Sequence, residues 1–152
     1  MRKSASFGGL VAVFLLGATA ISMASSADKV TAPEQIRVVE RALTDTVTDT
    51  GGAGDTAGDL LTFANPIYQN GEQVGRDQGD CIRIDPAEGK WECRWITYVG
   101  GGGITVEGPF YDTKDSTMAI TGGTGRFRNA RGQMVLHALS STKFQFTFTV
   151  IP

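Results

Sequence analysis

From Ile36 onward the apolar residues of this chain alternate with polar ones in short runs. Ile36 to Leu43 alternates, and further runs lie near 59–68, 73–84, 90–99, 103–111, 115–121, 132–139 and 142–151. Alternation sends successive side chains to opposite faces, as in a half-buried strand. Turn-forming residues separate the runs: Asn70-Gly71, Asp85-Pro86, Gly100 to Gly103, Lys114-Asp115 and Ser140-Ser141. No window offers the i, i+3, i+4, i+7 spacing of an amphipathic helix. Asp45 to Ala57, rich in Gly and Thr, reads as a mobile or tightly turned connector. Eight short strands with local turns predict an all-β protein. The expected form is an eight-stranded antiparallel up-and-down β-barrel of calycin-like type, because closure removes exposed edges. A sandwich is the other arrangement open at this length.

The N-terminus follows a different pattern. Arg2 and Lys3 precede a mostly apolar stretch from Phe7 to Met23, and Ser25-Ser26-Ala27 supplies small residues for cleavage. Residues 1–27 are therefore expected to be a signal peptide, and 28–152 the mature barrel domain. A membrane anchor is the competing reading. The stretch is short for a span of roughly 20 residues and is interrupted by glycines and small polar residues. The mature chain is expected to be secreted, or periplasmic, with no stable membrane anchor.

Composition and charge narrow the partners. Loss of Arg2 and Lys3 takes the formal charge from −2 to −4. A mildly acidic chain without a Lys/Arg cluster argues against nucleic acid as a partner. The 20 glycines among 152 residues fall between β-branched and aromatic runs, which again suits a turn-rich β-protein.

Two cysteines in an exported chain suggest one disulfide. If Cys81 lies opposite Cys93, Arg83 faces Trp91 and Ile84 faces Lys90, leaving Asp85 to Gly89 as a hairpin turn. Two free thiols forming a redox pair are the alternative, although the spacing is not Cys-x-x-Cys.

Familiar catalytic motifs are missing from the sequence. His137 is the lone histidine, so with both cysteines bridged no metal set of nitrogen and sulfur donors can be assembled. There is no Gly-x-Ser-x-Gly elbow. Gly122-Gly123-Thr124-Gly125 matches neither a phosphate loop nor a dinucleotide fingerprint and reads as a tight turn. Asp77, Asp80 and Asp85 lack the spacing of a calcium loop. No cofactor and no metal are expected.

The strand faces point to an apolar interior with few polar groups. Leu61, Phe63 and Asn65 share one face, and Cys81 and Arg83 share another. Ile104, Val106 and Phe110 lie together, as do Phe144, Phe146 and Phe148. The phenylalanine row reads as core or as a subunit contact. Asn65 stands out, because an amide on a core-facing row is costly unless hydrogen-bonded.

Three segments carry a resemblance. They are Gly58-Asp59-Leu60-Leu61-Thr62-Phe63-Ala64-Asn65-Pro66-Ile67-Tyr68, then Gly108-Pro109-Phe110, then Ala119-Ile120-Thr121-Gly122-Gly123-Thr124-Gly125. In order and spacing they resemble the plant allene oxide cyclases. The Gly122–Gly132 stretch also resembles the dirigent proteins. The likeness runs from about Gly58 to Pro152 and implies a small β-barrel that steers cyclisation or coupling of a reactive apolar molecule. It implies that Asn65 helps hold a water on a substrate epoxide oxygen, that Leu61 and Phe63 line the pocket, and that Cys81 lines it too. Phe110 stands where that family has tyrosine. Glu40 is the candidate for the family's first-strand carboxylate, with no asparagine following it. Ser116 stands where dirigent proteins carry arginine.

The resulting expectation is an exported isomerase or cyclase that folds a hydrophobic unsaturated metabolite, oxylipin-like or polyketide-like, for ring closure, including [4+2] closure. Asn65 and Glu40 are its candidate catalytic residues. Leu61, Phe63, Cys81, Arg83, Trp91, Ile104, Val106 and Phe110 are its candidate substrate-binding residues. The pocket is expected to exceed about 300 Å³. A lipocalin-like carrier and a solid structural barrel are the alternatives. The resemblance also implies a homo-oligomer, with a trimer favoured over a dimer.

Overall fold

The computed structural model describes residues 32–151, so the leader expected over 1–27 lies outside the described residues. Ten strands follow in chain order: β1 (Glu34–Arg41), β2 (Thr46–Thr48), β3 (Leu60–Phe63), β4 (Pro66–Gln69), β5 (Glu72–Asp85), β6 (Lys90–Val99), β7 (Gly102–Tyr111), β8 (Ser116–Gly125), β9 (Arg131–Ser140) and β10 (Lys143–Ile151). Every pairing is antiparallel. β3 and β4 are two halves of one barrel strand. Both lie along β5, and the amide and carbonyl of Asn65 at their junction exchange bonds with Asp77. The sheet runs β4, β1, β10, β9, β8, β7, β6 and closes through β5, giving the eight-stranded barrel.

Alternation accounts for the interior. Ile36 and Val38 on β1 face inward with Phe148 and Phe146 opposite them on β10. Met134 and Leu136 continue the layers on β9. Phe146 and Phe148 are buried and belong to the core, while Phe144 at the end of the row is half-buried. The row's outward neighbours on β10 are Gln145, Thr147 and Thr149, which do not form the apolar outer face that an assembly contact through this strand would need.

Cys81 pairs with Cys93 across β5 and β6, with Cα atoms 4.0 Å apart, and the disulfide is formed. Arg83 faces Trp91 as the spacing predicts. Lys90, however, pairs with Asp85 rather than Ile84, because a bulge absorbs one residue there. The segment 45–57 is also more ordered than its composition suggests, since Thr46–Thr48 pairs with β3.

The glycine run at 122–125 is not a turn. It continues β8 along Gly102–Thr105, and the turn comes after it, at 126–130. A Cβ at Gly123 would meet the Gly103 and Phe127 carbonyls, so close backbone approach is what requires glycine there. Gly79 is equally confined. Its missing side chain makes room for the Trp95 Cβ and the Arg94 carbonyl of β6. Gly79→Ala is expected to lower stability by about 3 kcal/mol through overpacking. Gly52→Ala, with open space around it, should change stability by less than about 0.5 kcal/mol. Denaturant midpoints of the two oxidised variants check the contrast.

Candidate active site

Turns at 86–89, 112–115 and 141–142, together with the corner at 42–45, form one end of the barrel. At this end a pocket, partly open to solvent, enters the interior. Its walls are Leu61, Phe63, Cys81, Cys93, Trp95, Phe110, Leu136, Phe144 and Phe146, and its polar wall is Glu40 and Asp45. Phe63 meets Trp95 edge-on at 5.8 Å, and Phe110 meets Phe144 edge-on at 6.2 Å. Edge-to-face contacts of this kind favour rings held at an angle rather than stacked. Leu61, Phe63, Phe110 and Phe144 are only half-buried, so the lip of the pocket is its least packed part.

The cavity inside that lip measures about 40 Å³. It has room for a few waters at roughly 10–15 Å³ each, and the expected small-molecule volume is not present in this conformation. The aromatic side chains that would line such a volume fill it instead.

Behind the polar wall lies a network built on Asn65. Its Nδ2 donates to Glu40 Oε1 and to Asp45 Oδ1, each at 2.7 Å. Its Oδ1 accepts from the backbone amides of Leu43 (2.9 Å) and Thr44 (3.0 Å) and from the Thr44 hydroxyl. One buried amide thus holds the corner between β1 and β2 and aims two carboxyls. Asp77, fully buried on β5, accepts from the Asn65 amide through Oδ1. Burial pushes the Asp77 carboxyl up to about 9, with the charge of Glu40 adding to the rise. Burial likewise raises Glu40 to about 7; the hydrogen bond from Asn65 opposes this and the charge of Asp45 adds to it. Burial without a compensating cation therefore keeps a proton on this pair at neutral pH.

A second network stands at the rim. Arg83 binds Asp55 through Nε and Nη2 and Asp112 through Nη1, all at 2.6 Å, and lies 4.1 Å above the Trp91 ring. The Trp91 indole donates to Asp112 at 3.0 Å. Burial would lower the Arg83 pKa, but these two carboxylates hold it above its ordinary value. Asp59, held below the carboxylate range by the amides of Thr56 and Thr50, orders the same loop. Arg83 thus clamps the 49–59 loop to the barrel with its charge already paired.

Of the residues expected at the site, Glu40, Leu61, Phe63, Cys81 and Phe110 come together at the pocket, and Asn65 supports Glu40 from behind. Trp91, Ile104 and Val106 are buried core outside the pocket wall, and Arg83 serves the rim. Alternation gives their face correctly but not their depth along the barrel. Asp45, Asp77 and Trp95 belong to the site without having been expected there. Asp77 shares the inward parity of Cys81 and Arg83, and that parity is the signal that points to it. Asp80, by contrast, pairs with exposed Arg94 at 3.3 Å, and Asp85 caps the hairpin turn. His137 is exposed and contacts Asp115.

Comparison with known proteins agrees with this fold. A solved pyocyanin demethylase superposes with a TM-score of 0.70 at 24% identity, covering 77% of this chain and 99% of that one. A pterocarpan synthase dirigent protein gives 0.68 at 16% identity, covering 78% and 94%. A Diels-Alderase from Streptomyces koyangensis gives 0.59 at 13% identity, covering 85% and 72%. At these identities the likeness is one of fold. The sequence model of the allene oxide cyclases matches residues 36–151, and this chain belongs to the allene oxide cyclase family.

Proposed function

We propose that this chain is an exported cyclase or isomerase that folds a hydrophobic, unsaturated metabolite for ring closure in the barrel mouth. The observation that carries this reading is a pocket with five aromatic walls ending on Glu40 and Asp45, whose carboxyls are aimed by one buried amide. Such a site needs little side-chain chemistry. Apolar walls hold a flexible chain near its attack geometry, so the ordering entropy is met on binding rather than in the transition state. Glu40, with a pKa near neutrality, is suited to stabilise developing positive charge or to move a proton. Entry requires Phe110 and Phe144 to swing outward, because the cavity of about 40 Å³ is smaller than any such ligand.

The binding half of the reading is tested with methyl cis-parinarate, a neutral fluorescent tetraene. Energy transfer from Trp95 should rise to saturation at one ligand per chain. Leu136→Trp, which fills the pocket, should abolish it. No saturable transfer in the parent protein would leave only a solid barrel. Saturable binding without turnover would identify a carrier, the second reading.

Export and assembly belong to the same proposal. The leader pattern and the disulfide support an oxidising compartment, secreted or periplasmic. A homo-oligomer is supported by the exposed Ile82 and Ile84 on the outer face of β5, and the preference for a trimer comes from the family resemblance. Light scattering at micromolar concentration should give a mass above the monomer.

A further inference from the structure

Among the described residues, three buried side-chain polar atoms have no hydrogen-bond partner: Asp77 Oδ2, Thr97 Oγ1 and Trp95 Nε1. They are neighbours by register. Asp77 lies directly opposite Thr97 across β5 and β6, and Trp95 is the next inward residue along β6. Asp77 and Thr97 are fully buried, and Trp95 forms part of the pocket wall. Unpartnered polar atoms at such depth cost about 1–3 kcal/mol each, and a packed β-barrel has no need of three together.

We propose that Asp77, Thr97 and Trp95 form a hydrogen-bond-donating floor beneath the apolar pocket. It would take a neutral oxygen acceptor of the ligand, a carbonyl or ether, with Asp77 acting as the protonated acid. The proposal rests on the pocket being a ligand site. The chemistry of the three groups selects the acceptor. The indole can only donate, the hydroxyl can donate, and a protonated carboxyl donates from the oxygen not already occupied by the Asn65 amide. The charged groups around Asp77 are all acidic. Glu40 faces it from β1 and Asp45 from the β1–β2 corner, while β6 contributes Thr97 and the β3–β4 junction contributes Asn65. The one buried cation among the described residues, Arg83, is committed to Asp55 and Asp112. A carboxylate or phosphate head group would therefore be repelled from this floor, and an anionic substrate end must stay at the mouth. Asp77 would polarise the bound oxygen while Glu40 stays available as the conjugate base.

Three probes of one shape test this: naphthyl methyl ketone, isopropenylnaphthalene and naphthoate. At pH 6 the ketone should bind about tenfold more tightly than the hydrocarbon, the ratio that a hydrogen bond of about 1.4 kcal/mol gives. Its carbonyl stretch should move to lower frequency in the complex, and naphthoate should bind most weakly. As pH rises through the titration of Asp77 the ketone preference should vanish. Asp77→Asn keeps a donor that does not titrate, so its preference should persist across the same range. Equal affinity for ketone and hydrocarbon in the parent protein would overturn the donor floor while leaving the pocket intact. A pH profile shared by Asp77→Asn and the parent would overturn it too, as would naphthoate binding best. Failure of all three probes to bind would overturn the floor together with the pocket beneath the proposed function.

Discussion

Asp77→Asn should make the protein more stable, by about 2–4 kcal/mol at pH 8, and should leave it unchanged near pH 4. The sign follows from the proton. The folded Asp77 carboxyl is raised to about 9 by burial, against 3.8 for the free group. A carboxyl with a raised folded pKa contributes its full stability below the unfolded value and loses it as pH climbs towards the folded value. Each pH unit in that window costs about 1.4 kcal/mol, so between pH 4 and 7 one group alone can withdraw up to about 4 kcal/mol. Glu40, raised to about 7, adds to the same slope over the lower part of the window. Asparagine keeps an oxygen for the Asn65 amide and offers its NH2 to Glu40, with nothing to titrate. Thermal melts of both proteins from pH 4 to pH 9 check this. A variant that is less stable at pH 8, or whose melting temperature falls as steeply with pH as the parent's, contradicts the assignment. A stabilising replacement at a buried acid is also what a site retained for function would show.

Asn65→Asp should be the most damaging single-atom change in the chain. The native amide donates twice, to Glu40 and Asp45, and accepts from Leu43 and Thr44. An aspartate keeps the acceptor and loses both donors. It also places a further negative charge against Glu40, Asp45 and Asp77. Leaving buried charges uncompensated costs about 3–5 kcal/mol, enough to bring a domain at the lower end of ordinary stability to the edge of unfolding at neutral pH. Acid should rescue it, because the substituted carboxyl donates again once protonated, so the folded fraction should rise from pH 8 to pH 5. Asn65→Ala should lose a similar amount with no rescue by acid. Circular dichroism and urea midpoints at the two pH values distinguish the cases. An Asn65→Asp protein as stable as the parent at pH 8 would mean that the amide does not organise the corner.

Local signals make much of the barrel legible. The Cys81 and Cys93 spacing specifies the β5–β6 register as far as Arg83 and Trp91, and the turn dipeptides bound the strands closely. The departures have physical causes. The bulge beside Ile84 leaves no mark in a hairpin count, and β2 is hidden because its three residues are all exposed and show no alternation. Gly123 serves close backbone approach, and Gly125 combines close approach with a left-handed φ of 59° where the turn begins, two needs that composition does not separate. At the site, parity along a strand places Ile104, Val106 and Trp91 inside, but whether an inward residue meets the pocket or the packed layer depends on barrel tilt and stagger. Arg83 reads as available in the sequence because its partner Asp55 lies on a loop whose path has no sequence signal. Asp77 is inconspicuous because an acid on a strand is usually solvated, although its parity matches Cys81.

Ring closure in this pocket is tested most directly by its stereochemistry. An allene oxide generated in place by enzymatic dehydration of a linolenic acid hydroperoxide, and an achiral linear triene bearing a tethered alkene, give racemic rings where they close without a chiral catalyst. With this protein present, at least one should give an excess of a single enantiomer. Glu40→Gln should lower the rate of that reaction by about 10²-fold or more, the scale of acid–base or charge stabilisation by one group. Leu136→Trp should return the product to racemic. Racemic products from both substrates at the buffer rate, or an enantiomeric excess untouched by Leu136→Trp, would contradict ring closure in this pocket.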